Sequence, residues 1–150
     1  EKYRERFMAL FQESLERELP IKKGVRELLE YLKEKQIKTA IASSTKGPLV
    51  RKHLERTGLS GYFQEIVSGD MVEKSKPEPD IFLEACRRLG TRPENCYVIE
   101  DSHNGIRAAY AAGMHPIMVP DLMEVTEEMK ELAEEIFESL YEVVEFLEIR

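Results

Sequence analysis

The stretch CYVIEDSHNGIRAAYAAGMHPIMV, Cys96 to Val119, holds a full strand–helix–strand pattern. Cys96 to Ile99 (CYVI) is short and apolar, as a strand buried on both faces is. It gives way to the polar turn Glu100-Asp101-Ser102. From about Asn104 to Ala112 the chain is rich in alanine, the strongest helix former, and Gly113 stands where a helix closes. Pro116 to Val119 (PIMV) is again short and apolar. Two such strands joined through a helix run parallel, because only antiparallel neighbours can be linked by a tight hairpin.

The same alternation extends in both directions. Upstream, Ile37 to Ala42 (IKTAIA) reads as a buried strand, and after Ser43-Ser44-Thr45-Lys46-Gly47 a helix runs to Thr57, stopped by Gly58. Glu65 to Ser68 (EIVS) reads as another strand. A proline-marked loop from Gly69 to Pro79 leads into a helix from Asp80 to Leu89, which Gly90 closes. Further upstream, Pro20 and Gly24 precede a helix carried by Val25, Leu28, Leu29 and Leu32. Downstream come an acidic helix near Thr126 to Ala133, a short apolar piece at Ile136 and Phe137, and a last helix through Val143, Val144 and Leu147. Helices alternating with short apolar strands define an α/β fold, a parallel sheet with helices on both faces. In such sheets ligands bind at the carboxyl ends of the strands.

Composition narrows the class of partner. With 22 Lys and Arg against 29 Asp and Glu, the chain carries a net charge of −7 and has no basic surplus for nucleic acid. No apolar run approaches the roughly 20 residues of a membrane span. Cys86 and Cys96 are too few for a disulfide framework and read as buried free thiols, as expected of a cytoplasmic protein. His53, His103 and His115 share no metal-ligand spacing.

Three features stand at strand ends. Ser43, Ser44 and Thr45 place hydroxyls before a helix start, which suits either a phosphate cradle or ordinary helix capping. In the next loop Lys76 is followed by Pro77-Glu78-Pro79, and the prolines restrict how its backbone runs. That lysine serves either as a point charge for an anion or as a solvated turn residue. Glu100 and Asp101 are adjacent carboxylates where a strand ends, suited to a hard cation or to capping the next helix. Taken together, a hydroxyl, an ammonium and an acidic pair map to one edge of one sheet.

In this order the segments resemble the haloacid dehalogenase superfamily. AIASS (Ala40 to Ser44) is similar to its second motif, SKPEPDIF (Ser75 to Phe82) to its lysine motif, and VIEDSHNGIRAAYAAGM (Val98 to Met114) to its acidic motif. The resemblance covers roughly residues 20 to 125 and leans towards the β-phosphoglucomutase and pseudouridine-phosphatase branch, to which MVPDLMEVT (Met118 to Thr126) is also similar. It implies a Rossmann-like core and a Mg²⁺-dependent phosphatase acting on a small phosphorylated metabolite through an aspartyl-phosphate. Ser43 would then hydrogen-bond the phosphoryl group and Lys76 would neutralise it. Asp101 would ligate Mg²⁺ with Glu100 assisting, and Ser44, Thr45 and Lys46 would face the substrate. Mutase-like members carry Asn after the lysine equivalent to Lys46; here Gly47 stands there, which favours a phosphatase over a phosphotransferase of the mutase type. A non-catalytic binding module is the alternative outside enzymology.

The opening of the chain departs from that pattern. Tyr3, Phe7, Leu10, Phe11, Leu15 and Leu19 recur at helical spacing, so residues 1–19 are expected to form the last helix of a cap domain, with 20–150 the C-terminal portion of the core. The family's Asp-x-Asp, which supplies the nucleophile, follows a central strand, and no two aspartates here stand two apart. The expectation is a chain that lacks its central first strand, is inactive alone, and self-associates through unpaired strand edges.

Overall fold

The computed structural model describes residues 7–10 by their backbone, and residues 23–120 and 123–149 in full. Six parallel strands form one sheet in the order β3-β2-β1-β4-β5-β6. They are β1 (Phe7–Leu10), β2 (Lys38–Ser43), β3 (Glu65–Ser68), β4 (Cys96–Glu100), β5 (His115–Met118) and β6 (Glu135–Ile136). The helices are α1 (Val25–Glu34), α2 (Gly47–Thr57), α3 (Asp80–Leu89), α4 (His103–Ala111), α5 (Glu127–Leu132) and α6 (Leu140–Ile149).

Period-2 alternation in the strands sorts the helices onto two faces. Ile41, Tyr97, Ile99 and Ile117 share a core with the apolar stripes of α1, α2 and α6. Ala40, Ala42, Cys96 and Val98 point the other way, into a core with Ile81, Phe82, Ala85, Cys86 and Leu89 of α3 and Ala108 and Ala109 of α4. Small residues on that side of the sheet leave room for the Phe82 ring, which is fully buried. Each large apolar side chain buried this way contributes about 1.5–3 kcal/mol. The stop signals act as glycine requires: Gly58 and Gly90 close α2 and α3 at φ 73° and 70°.

Phe7–Leu10 is a strand, not a helical turn, and it occupies the central position that the sequence reading left vacant. Its register sets Leu10 against Ile41 on one side and Ile99 on the other. The physical reason is pairing: β2 and β4 each carry backbone donors and acceptors that need a neighbour, and the apolar run Phe-Met-Ala-Leu suits a slot enclosed on both faces. β2 and β4 are therefore paired on both sides, and the sheet's outer strands are β3 and β6. The rest of the helix expected over 1–19 lies outside the described residues.

Candidate active site

β2, β3 and β4 end together at one edge of the sheet, with Ser43 in register with Ser68 and Glu100 with Met118. The loop from β3 returns Lys76 to that edge. The Lys76–Pro77 peptide bond is cis. Lys76 Nζ lies 2.7 Å from Glu100 Oε2 and donates to the Ala42 carbonyl at 3.2 Å. It also sits 5.0 Å from the Phe82 ring centroid, within cation–π range. The side chains of Lys76 and Glu100 are 4% and 0% exposed. Lys76 thus touches the residue before Ser43 and the residue before Asp101, which brings the hydroxyl, ammonium and acid segments to one place.

Glu100 is held from both ends. While Oε2 meets Lys76, Oε1 accepts from the Ser102 hydroxyl at 3.1 Å and from the backbone N–H groups of Asp101 and Ser102 at 3.2 and 3.3 Å. Burial pushes its pKa up to about 7, with Lys76 pulling it down and the Asp101 charge adding to the rise. Ser102 caps α4 by accepting from the Gly105 N–H at 3.0 Å. Gly105 is required by this packing, since a Cβ there would fall 2.0 Å from the Glu100 carboxyl carbon.

Ser43 is fully buried at the end of β2, and its Oγ accepts from the Thr45 N–H at 3.1 Å. Thr45 is buried, while Ser44 and Lys46 are exposed. The loop is fastened from the β3 side. Asp70 Oδ1 accepts from the Ser68 hydroxyl at 2.5 Å and from the Gly47 N–H at 3.3 Å, at the start of α2. Those bonds, the Ser68 hydroxyl first, hold the Asp70 carboxyl below its ordinary pKa. Gly69 allows the two loops to meet, because a Cβ there would lie 2.5 Å from the Ser44 carbonyl oxygen. Asp70, Gly69, Ser102 and Gly105 were not singled out from sequence. The signals were present, Ser-Gly-Asp after a strand and Ser-x-x-Gly at a helix start, but both also occur in ordinary turns.

Asp101 is half-buried next to this pair, with its Oδ1 buried. Its hard carboxylate oxygens suit Mg²⁺, which needs only one or two carboxylates beside water and substrate oxygens. Glu100 fits a ligand role less well, because both its oxygens are already engaged. Among the described residues, no three His, Cys, Asp or Glu gather as a ready-made cation cage.

A family model for haloacid dehalogenase-like hydrolases matches residues 1–119, and the chain belongs to that family. The phosphorylated carbohydrates phosphatase of Thermotoga maritima is 45% identical over 94 residues, covering 63% of this chain and 44% of that protein. The bifunctional riboflavin kinase/FMN phosphatase of Arabidopsis thaliana is 40% identical over 121 residues, covering 80% of this chain and 32% of that protein. The crystal structure of CbbY from Rhodobacter sphaeroides in complex with phosphate superposes with a TM-score of 0.75 at 34% identity, over 81% of this chain and 55% of that one. The chain spans about half the length, or less, of the curated relatives it matches. Among the described residues, no helix is long and apolar enough to cross a membrane.

Proposed function

We propose that this chain supplies the phosphoryl-binding half of a Mg²⁺-dependent phosphatase for small phosphomonoesters, sugar phosphates first and nucleoside monophosphates second. The observation that carries the reading is the buried Lys76 ammonium, tied to Glu100 at 2.7 Å and to the Ala42 carbonyl at 3.2 Å, beside Ser43 and Asp101. Glu100 offsets the desolvation of this ammonium and holds it at the carboxyl edge of a parallel sheet, where ligands of such folds bind. The relatives named as phosphatases of phosphorylated carbohydrates and of FMN support the substrate class.

Phosphoryl transfer needs positioning and charge neutralisation more than covalent chemistry from the protein. In this reading Lys76 neutralises a phosphoryl oxygen, and the Glu100 carboxylate fixes where its ammonium stands. The Ser43 hydroxyl accepts from the Thr45 N–H and keeps its own proton to donate to a second phosphoryl oxygen. Asp101 would hold Mg²⁺, which when bound withdraws charge from the phosphoryl group. The sequence holds no Asp-x-Asp, and no aspartate follows the central strand β1 directly, so in this reading the chain binds the phosphoryl group without supplying the family's nucleophile and does not itself turn over.

The test is release of inorganic phosphate from a panel of sugar phosphates and nucleoside monophosphates, with Mg²⁺, by this chain given an Asp-x-Asp directly after β1 (Phe11→Asp with Glu13→Asp). Turnover of at least one of them that falls about 100-fold or more in Lys76→Met, the loss of two to three charge-assisted interactions, is expected. No phosphate release from any member of the panel would reject the enzyme reading in favour of a binding module.

A further inference from the structure

Cys86 and Cys96 stand outside the site and take no part in phosphoryl chemistry. Their sulfurs are 3.4 Å apart, and the residues are 2% and 0% exposed. The two thiols donate to neighbouring carbonyls, Cys86 to Thr91 at 3.2 Å and Cys96 to Arg92 at 3.1 Å. A sulfur–sulfur bond is about 2 Å long, so the two sulfurs stand in van der Waals contact, one approach short of bonding.

The position of the pair in the fold gives it meaning. Phe82 and Cys86 are one turn apart on α3, and Lys76 rests over the Phe82 ring. Cys96, Val98 and Glu100 share one side of β4 by alternation. The two rows face each other, joined by the Lys76–Glu100 ion pair at the carboxyl edge of the sheet and by the thiol contact at the opposite edge.

We propose that Cys86 and Cys96 form an intramolecular disulfide on oxidation by a low-molecular-weight disulfide, a modification that locks α3 to β4 without disturbing the fold. One cysteine thiolate attacks a sulfur of the oxidant and expels a thiolate. The second cysteine then attacks the mixed disulfide and expels the other. The two thiols lose two protons and two electrons, and the oxidant disulfide is reduced to two thiols. Burial slows the first step, because both sulfurs are shielded from solvent. Cys86 is the better first nucleophile, since the contact with Cys96 lowers its pKa while burial raises that of Cys96.

The test is the thiol–disulfide equilibrium of the full chain in graded glutathione buffers, approached from the reduced chain and from chain oxidised in concentrated urea and then refolded. Alkylation after acid quench and intact mass separate the species, the disulfide form being two hydrogens lighter and unalkylated. The expected result is an effective thiol concentration at least tenfold higher in the folded chain than in urea, reached from both directions, with one disulfide per monomer. Cys86→Ser and Cys96→Ser should each abolish the species two hydrogens lighter and leave only the heavier mixed disulfide with glutathione. An effective concentration equal to or below that in urea, crosslinks between chains, or failure of the oxidised chain to refold would each overturn the proposal.

Discussion

Lys76 and Glu100 form a buried ion pair, Nζ to Oε2 at 2.7 Å, across 24 residues of sequence. Its value lies in arrangement more than in net stabilisation, because two desolvation costs offset most of the attraction. What it fixes is the position of one ammonium at the sheet's carboxyl edge. Breaking only one side should be costly.

Lys76→Met removes the charge that lowers the Glu100 pKa, so the buried acid takes up a proton and stability should fall by about 1–3 kcal/mol, the cost of the lost partner. Adding Glu100→Gln to that variant should cost far less than Glu100→Gln does alone. A double-mutant cycle from urea unfolding measures the coupling. Additive effects would mean that the two side chains do not depend on each other.

Gly105→Ala should perturb the same pair from the helix side, since the added Cβ meets the Glu100 carboxyl at 2.0 Å. A loss of about 1–3 kcal/mol is expected from the forced displacement. Gly61→Ala serves as the control, because nothing lies within 4 Å of a Cβ there, and it should be close to neutral. Urea midpoints of the two variants should separate clearly.

Asp70→Ala should loosen the start of α2 by freeing the Gly47 N–H and the Ser68 hydroxyl. Hydrogen exchange should rise at Gly47 and its neighbours while α4 stays protected. Asp70→Asn, which keeps an acceptor, should recover most of that protection. Equal exchange in wild type and Asp70→Ala would remove Asp70 from the framework of the site.

Acid stability should depend on Glu84. Its carboxyl is held at about 2 by hydrogen bonds from Arg87 and Arg88, against an ordinary value of 4.5. A folded-state pKa below the unfolded one contributes stability that is present above about 4.5 and lost as pH falls through about 2. Glu84→Gln should flatten that limb of a stability-versus-pH curve. The effect is modest, since the Arg87 side chain is 69% exposed and water screens it. An unchanged acid limb would contradict the assignment.

How legible the fold was depended on how local its signals were. α3 could be bounded at both ends because Asp80 follows a proline turn and Gly90 takes a left-handed φ that other residues resist. β3 was read at its observed limits, Glu65 and Ser68. β1 is hidden in the sequence because Phe7 and Leu10 fit a helical period, while the strand is selected by two neighbours that lie far along the chain. β6 is two residues long and showed only as an apolar piece. Ser43, Lys76, Glu100 and Asp101 stood out at loop boundaries. The different surroundings of the two acids did not, because two adjacent carboxylates are alike in sequence and only packing separates them. Glu100 turns into the protein towards Lys76, and Gly105 makes room for it.

The most direct measurement is binding of inorganic phosphate in the presence of Mg²⁺, followed by ³¹P NMR line broadening. Wild type and a surface control, Lys130→Met, should bind saturably and alike. Ser43→Ala and folded Lys76→Met should each weaken binding by about tenfold, the scale of one charge-assisted hydrogen bond. Unchanged affinity in both variants would show that the hydroxyl and the ammonium do not share an anion site.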